Sequence, residues 1–495
     1  MLTLDSPAWR KPMKPCNLWF SFTSAILALF LSCQGCAIGP DYTPPETQVP
    51  DAWHQALTRG LSEGKAELQT WWQVFDDPLL ESLIQRAVQG NLSLKSAVSR
   101  IQEARAVRGV AKGDWFPNID GTGTIQKVRI SEGRIEDNPI FPRRYHFYNT
   151  GLDASWEIDI WGRIIRSVES ADAGIQASIE DYRDVRVSLF AEVASNYVEL
   201  RSLQTRIRLA NKNIESQGKT LQLTKDRFDA GIASELDIRQ AELNLASTES
   251  VIPILQTAMV QAVNRLGVLL GQHPSSLYNE LAEETPVPSV PETIIVGLPA
   301  ELLRQRPDIR RAERILAAQT AQIGVAKAEL YPRFSLSGTF ALDANHSGDF
   351  FEGSSRAWGF GPSFRWNLFE GGRIRNNIKI QEARTEQALI GYEQTVLLAL
   401  EDVENAMVAY VREGKRKEAL ARSVTASIKS VDLVETLYRS GLTDFQNLLD
   451  MQRAQFQQED LLAESQGIMV QDLIRIYKSL GGGWATGQPE NSSDE

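Results

Sequence analysis

Four segments of the chain alternate between apolar and polar residues. Their apolar positions are Ile119, Gly121, Gly123 and Ile125; Leu152, Ala154, Trp156, Ile158 and Ile160; Phe334, Leu336, Gly338, Phe340 and Leu342; and Trp358, Phe360, Phe364, Trp366 and Leu368. Alternation over about ten residues, with many aromatic side chains, is typical of the strands of a membrane β-barrel. A half-buried strand of a soluble sheet shows the same alternation and is the alternative interpretation.

Two much longer stretches contain no proline, one between Pro142 and Pro253 and the other between Pro362 and Pro489. Within them, apolar residues recur in steps of three and four, as in coiled coils. These positions are Val193, Tyr197, Leu200, Leu203 and Ile207, and then Val396, Leu400, Val403, Met407 and Tyr410. We expect long helices within 163–270 and 372–480 that turn back at glycines, namely Gly231 and Gly441. A helix from 163 to 230 would be roughly 100 Å long.

The chain contains two copies of one plan. Residues 109–112 recur at 324–327, an offset of 215, and residues 162–164 recur at 372–374, an offset of 210. Each copy predicts a helix, two strands and then long helices. The predicted division is a signal peptide at 1–35, an extended N-terminal segment at 36–77, a first repeat at 78–273 with strands within 118–161, a proline-rich linker at 274–299, a second repeat at 300–484 with strands within 333–369, and a polar tail at 485–495.

The first residues have the pattern of an export signal. Three basic residues precede an apolar run at 18–31, which ends in Ser-Cys-Gln-Gly-Cys at 32–36. That run is shorter than the roughly 20 residues that cross a bilayer as a helix, and its flanks are those of a secretory signal. We expect Cys36, ahead of Cys33, to carry a covalent lipid such as palmitate, and we expect no other cofactor. Since residues 37–495 contain no cysteine, a disulfide framework is excluded there.

Composition narrows the class of protein. With 42% hydrophobic and 23% charged residues, the chain is ordinary folded material. The net charge of −11 argues against a nucleic-acid partner. We expect no enzyme, because the candidate motifs are incomplete. Gly218-Lys219-Thr220 resembles the end of a phosphate-binding loop but lacks its first glycine. The histidines also lack metal-ligand spacing; they are His54, His146, His273 and His346.

Four strands are too few to close a membrane barrel, since the smallest bacterial barrels have eight. An open edge in lipid would leave backbone groups unpaired, so the barrel must close between copies of the chain. The charged residues predicted to face the lumen are Asp153, Glu157, Asp159 and Arg365. Their excess of carboxylates would favour cations. A solvated face with no role in selectivity is the equally weighted alternative.

The sequence resembles the outer membrane efflux protein family, the TolC-like outer membrane factors, in their lipoprotein branch of the NodT type. Five segments carry the resemblance, in the same order: Cys36–Tyr42 with Pro45, Trp71–Leu79, Leu298–Glu313, Leu448–Arg453, and Tyr477 with Leu480–Trp484. The resemblance implies an α+β membrane protein. It implies a homotrimer in the outer membrane, with four strands per chain forming a twelve-stranded β-barrel. A helical coiled-coil barrel would continue it into the periplasm.

The resemblance also implies partners and a gate. The partners would be a periplasmic adaptor protein, an inner-membrane transporter of the RND type and the outer-membrane lipid. The trimer would be the exit duct for small molecules such as drugs, toxic compounds or metal ions. The gate residues carried over are Tyr438, Gln446, Asp450 and Arg453, with a ring of Asp450 side chains narrowing the closed pore. Two other functions stay open: a passive porin, and a helical scaffold lipoprotein in the periplasm.

Overall fold

The computed structural model describes residues 37–64, 68–131 and 144–484. The predicted signal peptide, the lipidation site Cys36 and the polar tail therefore lie outside the described residues. By contacts, the described chain divides into two units, and each repeat contributes to both. The first unit contains residues 37–42, 108–171 and 319–384. The second contains the other described residues.

The first unit contains an antiparallel sheet of four strands. They are β2 (Asn118–Arg129), β3 (Arg144–Ile158), β5 (Arg333–Ala344) and β6 (Arg356–Arg365), and they lie side by side in that order. Two of them end earlier than the alternation predicts, so Ile160, Trp366 and Leu368 follow a strand end. The chain turns there through glycines with positive φ, Gly162 after β3 and Gly371 and Gly372 after β6.

The remaining two strands form a small parallel pair in the second unit, which the sequence analysis did not predict. β1 (Leu61–Glu63) comes from the N-terminal segment, and β4 (Ile294–Val296) comes from the predicted linker. The Trp53 indole donates a hydrogen bond of 2.7 Å to the Gly297 carbonyl beside this pair. The linker is thus partly ordered by the N-terminal segment.

Helices make up most of the chain. They are α1 (Pro78–Gly90), α2 (Leu92–Gly113), α3 (Arg163–Asp229), α4 (Glu235–Glu249), α5 (Val251–Leu269), α6 (Pro299–Gln305), α7 (Pro307–Ala328), α8 (Arg373–Arg439) and α9 (Phe445–Ser479). The two predicted long helices, α3 and α8, each contain 67 residues. Within the described residues, no helix is both long and apolar enough to cross a bilayer.

The main hydrophobic core lies in the second unit and contains most of the coiled-coil positions of both repeats, while Leu203 and Ile207 lie in a separate small cluster. Tyr197 and Leu200 of α3 are buried in it, as are Val403 and Met407 of α8. Trp71 stacks on Tyr477 with ring centroids 5.4 Å apart. Burial of these large side chains, at about 25 cal/mol per Å² of apolar surface, holds the helices of the unit together.

Candidate functional site

The two faces of the four-stranded sheet differ sharply in chemistry. The register places Leu152 opposite Phe340, and Phe340 opposite Trp358, on one face. That face is apolar and largely open in the single chain, with Trp358 72% and Phe360 80% exposed. Neighbouring aromatic side chains that are this exposed indicate a surface that contacts lipid or protein. The opposite face carries the polar residues of the alternation.

On the polar face, Asp153 of β3 lies between residues of β2 and β5. Its carboxylate accepts hydrogen bonds from Thr339 at 2.7 Å and from Thr122 at 3.3 Å. Asp120 is directly opposite Asp153 across the β2–β3 pair. Asp120 was not among the lumen residues predicted from the sequence, although it occupies a polar position of the same alternation. Two carboxylates therefore stand side by side on this face.

The other three predicted lumen residues have different surroundings. Glu157 forms a salt bridge of 2.9 Å with Arg163 at the start of α3. Asp159 follows the strand and accepts a hydrogen bond of 2.9 Å from the Ile165 amide, so it caps α3. Arg365 is at the end of β6, opposite Arg333. The predicted lumen residues thus include one helix cap and one paired carboxylate.

The Glu157–Arg163 salt bridge changes the charge balance of this end of the sheet. Burial by itself would lower the pKa of the Arg163 guanidinium, but the hydrogen bond and the charge of Glu157 outweigh burial and raise the pKa. Arg163 consequently keeps its positive charge and offsets Glu157. Within the described strands, the other charged residues of the polar face are Asp120, Asp153 and Asp343, with Arg333 and Arg365.

The second candidate site is the tip where α8 turns into α9. Helix α8 ends at Arg439, and Gly441 adopts a φ of 73°. The Leu442 amide donates a hydrogen bond of 2.9 Å back to the Leu437 carbonyl, as in a glycine-terminated helix. Asp444 then caps α9 by accepting a hydrogen bond of 3.2 Å from the Asn447 amide. The chain reverses here because of these local signals.

Tyr438 is buried in the tip. Its ring packs on Phe445 with centroids 5.5 Å apart, and the Arg227 guanidinium of α3 lies 4.7 Å from its ring centroid. The Tyr438 hydroxyl is also buried and has no hydrogen-bond partner among the described residues. Arg227 further donates a hydrogen bond of 3.3 Å to the Arg439 carbonyl. Tyr438 therefore joins the two long helices within one chain.

Gln446, Asp450 and Arg453 share one exposed stripe of α9 because they are spaced by four and three residues. The Gln446 amide donates a hydrogen bond of 2.9 Å to the Asp450 carboxylate. Arg453 instead donates to Asn244 of α4, at 3.1 Å. In the part of the chain that the structure describes, no ion pair joins Asp450 to Arg453.

Most of the chain matches a known protein family. The sequence profile of the outer membrane efflux proteins matches residues 83–272 and 298–482. The chain belongs to the outer membrane efflux protein family. It is therefore an efflux channel of the outer membrane with a helical part in the periplasm, and the resemblance inferred from the sequence is confirmed.

Individual relatives agree with this assignment. Nodulation protein T of Rhizobium leguminosarum bv. trifolii is 32% identical over 93% of this chain and 96% of its own length. The toluene efflux pump outer membrane protein TtgI of Pseudomonas putida is 28% identical over 94% of this chain and 99% of its own. The solved structure of the outer-membrane channel OprN is 38% identical, covers 91% of this chain and 100% of its own, and superposes with a TM-score of 0.84.

Several residues that carried the resemblance to efflux proteins have structural contacts. Asp77 caps α1 and accepts a hydrogen bond of 2.6 Å from the Tyr197 hydroxyl. Arg306 binds Asp308 at 2.7 Å and the Ser479 carbonyl at 2.9 Å. Trp484 lies against two guanidinium groups, those of Arg183 at 4.5 Å and Arg310 at 5.2 Å. These motifs identify the family through its core contacts.

Proposed function

We propose that this chain assembles with two further copies into the exit duct of a tripartite efflux system. One observation carries the proposal: the four-stranded sheet has one apolar, exposed face and one polar face. Both of its outer strands, β2 and β6, have a single neighbour within the described chain. Closure with other copies would satisfy these edges in lipid. The apolar face would then meet lipid, and the polar face would line the pore.

Aromatic side chains near the strand ends support a membrane position. The Trp156 indole donates to the Trp115 carbonyl at 2.9 Å, and the Trp366 indole donates to the Leu330 carbonyl at 3.0 Å. Trp161 stacks on Tyr331 with centroids 4.7 Å apart. Tryptophan and tyrosine with an anchored polar edge are typical of the girdle of a membrane barrel at the water interface.

The lipid anchor at Cys36 fits this interface. Ile38 is two residues after the proposed anchor, and its amide donates a hydrogen bond of 3.1 Å to the Trp161 carbonyl. The buried Arg166 side chain forms a salt bridge of 2.6 Å with Asp41. Residues 38–41 are thus held next to the aromatic group.

The proposed partners are a periplasmic adaptor and an inner-membrane transporter of the RND type, and the proposed cargo is a small molecule such as a drug, a toxic compound or a metal ion. We place the gate at the α8–α9 tip. In a closed trimer, the exposed Asp450 side chains would form an anionic ring, while the buried Tyr438 would hold the tip of each chain. Opening would then require the tips to separate.

Charged substitutions on the two sheet faces test the barrel. Phe360→Arg should prevent assembly, because an arginine facing lipid costs about 2–4 kcal/mol near the bilayer midplane. Ser363→Arg, at a polar position of the same strand, should assemble and change only the conductance. The assay is extraction in detergent and detection of a heat-modifiable trimer. Equal tolerance of both substitutions would support the scaffold alternative instead.

The anchor has its own test. Cys36→Ser should abolish labelling by radioactive palmitate and leave a precursor, whereas Cys33→Ser should retain labelling. The Cys36→Ser trimer should still form, since the sheet buries far more surface than an acyl chain, which contributes about 0.8 kcal/mol per buried CH₂. Labelling of the Cys36→Ser variant would show that the lipid is attached at another residue.

Deletion of the gene separates the duct from a passive porin. A duct should be needed for drug tolerance, and tolerance should return only when the chain is expressed with its adaptor and transporter. A porin would change passive uptake whether or not a pump is present.

A further inference from the structure

The polar face of the four-stranded sheet has a hollow at the end from which α3 and α8 start. The hollow has a volume of about 780 Å³. Two rows of serines line it: Ser335 lies opposite Ser363, and Ser155 lies opposite Ser337. Serine hydroxyls donate and accept hydrogen bonds. The hollow therefore has the size and the polar groups of a site for a small charged molecule.

The charged residues that line the hollow are almost all paired with one another or with a close neighbour. Each lining carboxylate forms a salt bridge with an arginine: Glu157 with Arg163 at 2.9 Å, Glu329 with Arg333 at 3.3 Å, and Glu370 with Arg373 at 2.6 Å. Arg365 also lines the hollow and is exposed. Among the described residues, its guanidinium forms neither an ion pair nor a hydrogen bond. Arg365 is therefore the charged group of the hollow that is free to meet a ligand.

The neighbour of Arg365 across the strands is a second arginine. Arg365 lies directly opposite Arg333 on the polar face, and we call these two residues the arginine pair. Like charges that are directly opposed across antiparallel strands destabilise the pairing. The salt bridge of Arg333 with Glu329 offsets one of the two charges. An anion bound to the arginine pair would offset the other.

The acidic residues of the polar face lie toward the other end of the sheet. Asp153 is opposite Asp120 and Thr339, and Asp343 is farther along β5. Thr339 is six residues from Arg333 on that strand, which is roughly 20 Å at about 3.4 Å per residue. This distance is about twice the Debye length of roughly 8–10 Å in ordinary salt. The carboxylates therefore do not cancel the attraction of an anion to the arginine pair.

We propose that the arginine pair, with Ser335 and Ser363, binds the carboxylate group of an organic anion that passes through the pore. The inference rests on the proposed duct, in which the polar face lines the pore. The Arg365 guanidinium would donate two parallel hydrogen bonds to the carboxylate, and the Ser363 hydroxyl would donate a third. One free guanidinium matches the single charge of a carboxylate better than the nearly double charge of a phosphate. Since a pore must release what it binds, binding should be weak, at millimolar concentrations.

Block of single channels by benzoate tests the site. In planar bilayers at about 0.1 M KCl, where screening is moderate, benzoate should reduce the current through the wild-type channel. Benzamide, which has a similar shape and no charge, should not. Arg365→Gln should raise the half-blocking concentration of benzoate about tenfold, because it removes a charged hydrogen-bond donor. The matched control is Arg356→Gln at the other end of β6, which should keep the wild-type value.

A second variant, Arg365→Lys, decides the outcome if Arg365→Gln does not assemble. It keeps the charge and loses the paired donors, so the half-blocking concentration should rise about two- to threefold. Block of both variants at the wild-type concentration would overturn the site and leave the duct intact. Tighter block of the wild type by phenyl phosphate than by benzoate would overturn the assignment to carboxylates. Wild-type protein that forms no channel would instead overturn the proposed duct.

Discussion

The two tips of this efflux protein are the turns that follow α3 and α8. They have the same backbone conformation but expose different side chains. Both long helices end two residues before a glycine, Gly231 with a φ of 75° and Gly441 with a φ of 73°. Ser234 caps the helix after the first turn, and Asp444 caps the helix after the second. The turns are therefore the same structure built twice.

The exposed stripes after these turns are different. The second tip presents Gln446, Asp450 and Arg453; the first presents their counterparts Leu236, Gln240 and Leu243. Leu236 is 63% and Leu243 60% exposed. Duplication preserved the residues that turn the chain and allowed the surfaces to diverge. The charge proposed for the gate belongs to one repeat, and the other repeat carries an apolar stripe that is exposed in the single chain.

The helices that follow the turns also differ in continuity. Pro253 stands near the start of α5, where the first repeat breaks its helix, and the counterpart Ala463 is buried within the continuous α9. Ala463→Pro should destabilise the second repeat by about 3 kcal/mol, because proline removes a helix hydrogen bond and clashes with the preceding turn. Pro253→Ala should change stability little. The temperature at which the heat-modifiable trimer is lost measures the effect of each substitution. Equal effects of the two substitutions would mean that proline does not cause the helix break between α4 and α5.

Asp472 of α9 offers a pH-dependent comparison, since its counterpart in α5 is the buried Ala262. Burial raises the pKa of Asp472 to about 6, against the pull of Arg475, which donates a hydrogen bond of 2.8 Å. The nearby Glu413 raises it further. Because this pKa lies above that of an unfolded aspartate, the contribution of Asp472 to stability is greatest at low pH and is lost as pH rises through about 6.

Asp472→Asn should remove this loss. At pH 7.5 the variant should be more stable than the wild type by about 3 kcal/mol, since each unit of pKa shift corresponds to roughly 1.4 kcal/mol. At pH 4 the two proteins should unfold alike. Apparent unfolding midpoints in detergent at both pH values are the measurement. A difference of the same size at both would assign the effect to packing rather than to charge.

The sequence predicted the local structure well and the distant contacts poorly. The absence of proline and the two glycines were sufficient to place α3 and α8, because helix continuity and termination depend on neighbouring residues. The pairing of Leu61–Glu63 with Ile294–Val296 was missed, since strands of three residues carry no periodicity. The Arg453 contact with Asn244 was also missed, because it joins helices that are 209 residues apart in sequence.

The conductance of single channels in planar bilayers tests the central claim, that this protein is a duct gated at its second tip. Asp450→Ala should leave the trimer intact and weaken block by trivalent cations by about tenfold or more, which corresponds to a loss of about 1.4 kcal/mol of attraction to the anionic ring. The matched control, Gln240→Ala at the first tip, should leave block and cation selectivity as in the wild type. Unchanged block in the Asp450→Ala channel, or an equal change in the control, would contradict the account.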